Sequence, residues 1–204
     1  MKALKTLTTT LACAGFTLCA QAAQDPAYDL LPSFTGTPSS GLDLIEAQVV
    51  FDTGTQTFSL QARTLGPVTD APSGAFVFGF NRGGAANQPF GAIGFGDISF
   101  NATALLRSDG TGNVGANALQ VLVQGSTISA ALPASLLPSQ GFAPQDFTWA
   151  LWSVDLAVTG LPRNADFIAS SNLNVTAVPE PASMALLLAG LAAIGTSVRA
   201  RRNR

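Results

Sequence analysis

The feature that most constrains this chain is a two-residue alternation of apolar and polar side chains, interrupted at intervals by glycine-containing turns. Ile45, Ala47, Val49 and Phe51 alternate with Glu46, Gln48 and Val50, and after Asp52 to Gln56 the pattern resumes with Phe58, Leu60 and Ala62 set against Thr57, Ser59, Gln61 and Arg63. Successive side chains of a strand point to opposite faces, so this stretch predicts a hairpin with one buried face. A second hairpin is predicted from Gln120–Gln124 and Thr127–Leu132, joined by Gly125-Ser126, a pair suited to a type II′ turn. Asp109-Gly110 marks a third turn after a run from Ile98 to Leu106. Further strands are expected over 75–80 and 147–158, Pro133 to Pro138 is too short for more than a helical turn, and Ala85–Pro89 and Gly160–Asp166 read as loops. No long stretch between the two ends keeps a helical apolar period. The fold expected for 23–168 is therefore mostly β, an antiparallel sandwich or jelly-roll-like domain.

Composition matters once it is divided by region. Hydrophobic residues make up 47% of the 204 residues and charged ones only 11%, but much of the apolar excess lies at the two ends. From Ala23 to Val178 there are eleven Asp and Glu residues against Arg63, Arg82, Arg107 and Arg163, with no lysine. An acidic surface of this kind repels phosphate backbones, so nucleic-acid binding is excluded as a reading. Histidine is absent, and both cysteines, Cys13 and Cys19, fall in the first twenty residues. That removes Ser-His-Asp and Cys-His catalysis and the usual zinc sites from the body.

The N-terminus has Lys2 and Lys5, an apolar run from Leu7 to Ala20, and the small-x-small pattern Ala20-Gln21-Ala22. These are the parts of a secretory signal peptide over 1–22, with cleavage read at Ala20 and Ala22. The C-terminus has Val178-Pro179-Glu180-Pro181, an uncharged run from Ala182 to Val198, and Arg199, Arg201, Arg202 and Arg204. As a helix the run would reach about 25 Å, slightly under a hydrocarbon core of about 30 Å, so it predicts a short single transmembrane helix. The arginines belong on the cytoplasmic side and act as the membrane stop, which puts the body across the membrane. The signal peptide demands the same topology. Residues 169–177 are expected to link body and tail, with a last strand over part of Ala169–Val178 as the alternative.

Val178-Pro179-Glu180-Pro181-Ala182-Ser183, followed by a short apolar span and an arginine cluster, resembles the PEP-CTERM sorting signal of Gram-negative, exopolysaccharide-producing bacteria. The resemblance implies recognition of Pro179, Glu180 and Pro181 by an exosortase, a membrane-embedded cysteine transpeptidase. It also implies cleavage near that motif after passage through an inner-membrane intermediate, and delivery to the cell surface or the extracellular matrix of a biofilm. This chain would be the substrate. The body, through Phe80-Asn81-Arg82-Gly83 and Leu136 to Phe142 ahead of Asp146-Phe147-Thr148-Trp149, is similar to domains on other proteins with such tails, a similarity that implies no activity.

Within the body the expectation is a non-catalytic protein with no cofactor and no metal. Asp43, Glu46, Asp52, Asp97, Asp146 and Asp155 are the raw material for a carboxylate-only glycosidase, but no spacing selects a pair. Asp109-Gly110-Thr111-Gly112-Asn113 lacks the repeated carboxylates of a dedicated calcium loop and reads as a hairpin turn. Trp149 and Trp152, three apart on a strand, should point to opposite faces, so one of them is a candidate glycan contact for an exopolysaccharide-binding module.

Overall fold

A computed structural model describes residues 22–178 and 190–191. The expected signal peptide up to Gln21, the Pro179-Glu180-Pro181 motif and the terminal arginines lie outside the described residues. So does the expected span, apart from Gly190 and Leu191, which are helical. Among the described residues no helix is long and apolar enough to cross a membrane.

The body is mostly β, as the alternation predicts. Its strands are β1 (Ala23–Gln24), β2 (Leu44–Asp52), β3 (Thr57–Thr64), β4 (Gly74–Asn81), β5 (Ala102–Arg107), β6 (Thr111–Val114), β7 (Asn117–Gln124), β8 (Thr127–Pro133), β9 (Thr148–Asp155), β10 (Asn164–Phe167), β11 (Leu173–Asn174) and β12 (Thr176–Val178). They form one continuous ladder in the order β1-β2-β3-β8-β7-β6-β5-β4-β9-β10, with β11 added to β9 and β12 to β2. Every pairing is antiparallel except β12 on β2. The ladder turns its corner at β7, which pairs with β6 through Asn117–Gln120 and with β8 through Val121–Gln124.

The curl brings the inner faces of both halves onto one core. Val49, Phe51, Phe58 and Leu60 from one half meet Phe76, Phe78, Phe80, Trp149 and Leu151 from the other. Phe58 is the hub, with ring centroids 4.7 Å from Phe51, 5.7 Å from Phe80 and 5.7 Å from Phe147. Strands β4 and β9 are buried on both faces, because residues 87–100 fold over their outer side. There Phe90, Ile98 and Phe100 pack with Val77, Trp152 and Phe167 in a second apolar layer. This explains the unbroken apolar run of β4, and also Gly79: a Cβ at that position would lie 2.9 Å from the Trp152 ring and 3.1 Å from Phe100.

The β2–β3 hairpin pairs Asp52 with Thr57, with the four-residue turn in between that the sequence predicts. Asp52 accepts the Gly54 and Thr55 N–H groups at 2.8 and 3.1 Å, and Gln56 takes the left-handed conformation that closes the turn. Gln124 pairs with Thr127 across Gly125-Ser126, and only Gly125 of the two has a positive φ, as a type II′ turn requires. One register expectation fails. An irregularity between Leu44 and Glu46 inserts a residue into β2, so Leu44 enters the core and Ile45 stays half-buried.

Two boundaries also differ from expectation. Gly160–Asp166, expected as a loop, holds β10, whose Asn164, Ala165, Asp166 and Phe167 are all buried. In residues 169–177, expected as a linker with a last strand as the alternative, the strand holds: β11 pairs with Trp149 and Thr148, Val175 is buried, and β12 pairs with Val50, Phe51 and Asp52. The segment thus crosses from one open edge of the curled sheet to the other and staples them. Two- and three-residue strands carry too little alternation to be read from sequence.

Candidate functional site

The two open edges of the sheet meet again near the start of β2, where three carboxylates converge and a fourth, Asp43, lies nearby. Asp25 follows β1, its N–H donating to Ile45 O at 3.2 Å. Asp43 immediately precedes β2, and Asp166 sits in β10 on the opposite edge. Asp29 lies in the excursion between β1 and β2. One carboxylate oxygen each from Asp25, Asp29 and Asp166 lie within 4.8 Å of one another.

Backbone donors fix this arrangement. Asp166 is 2% exposed, and its Oδ2 accepts the Leu44 N–H at 2.7 Å while its Oδ1 accepts the Phe167 N–H at 2.7 Å. The first of these bonds ties β2 to β10. Asp43 is 3% exposed, and its Oδ2 accepts the Tyr28 N–H at 2.8 Å. Tyr28 has φ +69°, a left-handed backbone that is uncommon for a residue with a Cβ. That conformation turns the N–H inward and leaves the ring in solvent.

Donors for the remaining oxygens are missing. Asp25 Oδ2 and Asp43 Oδ1 are buried and make no hydrogen bond. The one ion pair among the described residues, Arg63 with Glu46, lies elsewhere on the sheet. The electrostatics follow from this. Burial, then the charges of Asp29 and Asp43, push the Asp25 carboxyl up to about 7. Burial pushes Asp166 up to about 8, against the Leu44 N–H that favours its charged form. Asp43 is raised by burial, opposed by the Tyr28 N–H and reinforced by Asp29. Asp25, Asp29 and Asp166 thus bring hard oxygen ligands close together, the arrangement that can hold a divalent cation.

Only Asp43 of these four belongs to the carboxylates singled out from sequence. The others of that set are structural. Glu46 takes the Arg63 Nε–H at 2.9 Å, Asp52 caps its hairpin, and Asp155 accepts the Ser73 hydroxyl at 2.6 Å and the Ala157 N–H at 2.9 Å. Asp97 sits in a single bridge to Ser171, and Asp146 ends a one-turn helix, Pro144–Asp146. Asp109 accepts both the N–H and the hydroxyl of Thr111, the hairpin turn expected there. Asp25, Asp29 and Asp166 carried no sequence signal, because they come from separate loops and a short edge strand. Asp25 and Asp29 in one short stretch gave the only hint.

The two tryptophans do face opposite sides of β9, one in each apolar layer, but each is 3% exposed. Trp149 donates its Nε1–H to Asn174 O at 3.1 Å, and Trp152 is enclosed by Phe90, Phe100 and Phe167. Neither ring offers a free face to a sugar, which corrects the expectation that one is exposed. The cause is the cover of residues 87–100, invisible to a reading of β9 alone. Trp152 does help line a groove of about 580 Å³ with Phe100, Leu161, Arg163 and Asn164.

The two body segments noted in the sequence come together. Arg82, 8% exposed, donates Nη1–H to Pro138 O at 2.9 Å and Nη2–H to Asn101 O at 3.0 Å, while its own carbonyl accepts the Gln140 and Phe142 N–H groups. Of the expected sorting residues, Pro179, Glu180, Pro181, Arg199, Arg201, Arg202 and Arg204 lie outside the described residues, as does Ala20 of the cleavage pattern. Ala22 directly precedes β1. Val178 ends β12, with its carbonyl accepting the Thr53 hydroxyl at 3.2 Å. The segment Pro179-Glu180-Pro181 therefore starts immediately after a residue held in the sheet.

No curated protein and no solved structure matches this chain. Residues 177–202 match the family model of the PEP-CTERM protein-sorting motif, so the chain carries that sorting motif, beginning within β12.

Proposed function

We propose that this chain is an exported bacterial surface or extracellular-matrix protein whose tail is read by an exosortase at Pro179-Glu180-Pro181 and cut there, the body acting without catalysis. The observation that carries this reading is the motif match over 177–202. Pro179 and Pro181 fix their own φ and keep Val178 and Glu180 extended, so a carboxylate is displayed on a stiff segment at the membrane surface. The curled sheet serves as a flattened sandwich, its two halves closing on the phenylalanine core. The rival reading of the tail is a permanent anchor.

The absence of histidine and cysteine from 23–178 supports a non-enzymatic body. A second reading, an exopolysaccharide-binding body, draws on the groove beside Trp152, where the buried Asn164 Oδ1 lacks a donor. Retention on the host's exopolysaccharide, unchanged by Arg163→Ala, would remove that reading. To test the main proposal, Pro179→Ala, Glu180→Ala and Pro181→Ala are combined in the native host. The uncut chain should then accumulate in the inner membrane, and release at the normal rate would refute recognition through this motif.

A further inference from the structure

We infer that Asp25, Asp29 and Asp166 form a calcium site, with the Asp43 carboxylate beside it, that locks the seam between β1–β2 and β10. Three carboxylate oxygens lie within 4.8 Å of one another. Calcium takes oxygen ligands at about 2.3–2.6 Å, so ligands on opposite sides of the ion stand about 4.6–5.2 Å apart, and this cluster fits without contraction. Magnesium demands near-ideal octahedral geometry and holds its waters more tightly, which disfavours it at a site built from separate loops and an edge strand. Zinc's usual nitrogen and sulfur ligands are absent from the body.

The independent observation is Asp43. It is 3% exposed, yet it spends only Oδ2 on the Tyr28 N–H and leaves Oδ1 buried without a donor, close enough to the cluster for its charge to act on Asp25 and for that of Asp29 to act on it. Asp25 Oδ2 is buried and donorless as well. Buried oxygens without donors are costly, and carboxylates crowded together with no arginine beside them add mutual repulsion. A divalent cation answers both. The backbone donors from Leu44 and Phe167 already hold Asp166 in orientation, so the ligand on the sheet is preorganised, and Tyr28 fixes Asp43 beside it. Asp29, exposed on its loop, would close over the ion from the solvent side. Water and backbone carbonyls complete the six to eight ligands that calcium takes.

The consequence is an N-terminal segment and a sheet edge joined only where calcium is plentiful. An affinity in the range of extracellular calcium modules, with Kd of about 10⁻⁴–10⁻³ M, would leave the site open in the cytoplasm and filled outside. This inference does not rest on the sorting proposal and fails separately from it.

The test uses the exported protein as its host matures it, stripped with EDTA. Calorimetric titration with CaCl₂ should show one site. At a concentration about 100-fold above Kd, the melting temperature should rise by roughly 5–10 °C. Tb³⁺ should occupy the same site and luminesce on excitation of Tyr28, the single tyrosine of the chain, with Tyr28→Phe removing most of that emission. Asp29→Asn, at an exposed position that does not support the fold, should weaken calcium binding on the order of tenfold, about 1.4 kcal/mol. Asp25→Asn should do the same. No heat and no melting shift at 10 mM CaCl₂ would overturn the assignment, a concentration set roughly tenfold above the weak end of that Kd range. So would an equal shift with MgCl₂, or a calcium response unchanged in both variants.

Discussion

Stripped of divalent cations, the body should lose stability as the pH rises, the reverse of a protein held by salt-bridged aspartates. Asp166 is held up at about 8 by burial, against the pull of the Leu44 N–H, and Asp25 at about 7 by burial and the charges of Asp29 and Asp43. Unfolding returns both to the ordinary aspartate value of about 3.9. Between about pH 4 and 7 the native state therefore keeps protons that the unfolded state has released, and stability falls with rising pH. The stabilising contribution is complete below about pH 4, declines through pH 7 as Asp25 ionises, and is spent once Asp166 ionises near 8. A single retained proton sets a slope of about 1.4 kcal/mol per pH unit. Asp25 is partly open to water, so Asp166 supplies the firmer part of that slope.

For a domain of this size, a slope of about 1.4 kcal/mol per pH unit lowers the melting temperature by roughly 3–5 °C per unit. Asp52, Asp109 and Asp155 are shifted downward and carry the opposite dependence, but they act below about pH 4 and leave this window clear. The assay is thermal unfolding followed by circular dichroism in EDTA from pH 4.5 to 8.5. Asp25→Asn removes one of the repelling charges and should flatten the curve while raising stability at pH 8. A melting temperature that climbs or stays level between pH 5 and 7, or a slope untouched by Asp25→Asn, would refute the reasoning.

Two further substitutions probe the packing that positions the seam and the tail. Gly79→Ala places a methyl 2.9 Å from the Trp152 ring, and overpacking of that kind should cost about 1–3 kcal/mol in a denaturant titration. Arg82→Lys exchanges a buried fork that reaches Asn101 and Pro138 for one ammonium, and should lower the melting temperature by roughly 5–10 °C, since about 2–3 kcal/mol of hydrogen bonding is lost.

What the sequence disclosed followed the strength of its periodicity. The hairpin from Ile45 to Arg63 was legible because eight-residue strands repeat the alternation often enough to fix a face, and Asp52-to-Gln56 has turn chemistry. The misplacement of Ile45 arose where an extra residue breaks that period. β10 escaped notice, and β11 and β12 were legible only as one alternative last strand, because strands of two to four residues are held by neighbours rather than by their own pattern. For the same reason 169–177 looked like a linker, although Val175 is buried and β12 pairs along β2. The burial of Trp152 depends on residues 87–100, which carry no pattern linking them to β9, while Trp149 lies in the main core between the two halves of the sheet. The sorting tail was legible because its order of elements is contiguous. The acidic cluster was not, since its four aspartates are gathered only when the curled sheet brings β10 against the start of β2.

Because β12 holds Val178 against Asp52, the sorting motif begins within a residue of the folded body, and any cut there leaves almost no tail. Mass spectrometry of the protein recovered from the cell exterior tests the account most directly. Cleavage predicts a new C-terminus at or near Pro179, with the arginine cluster gone. A surface-exposed form that still ends in Arg204 would contradict it and identify the tail as a permanent anchor.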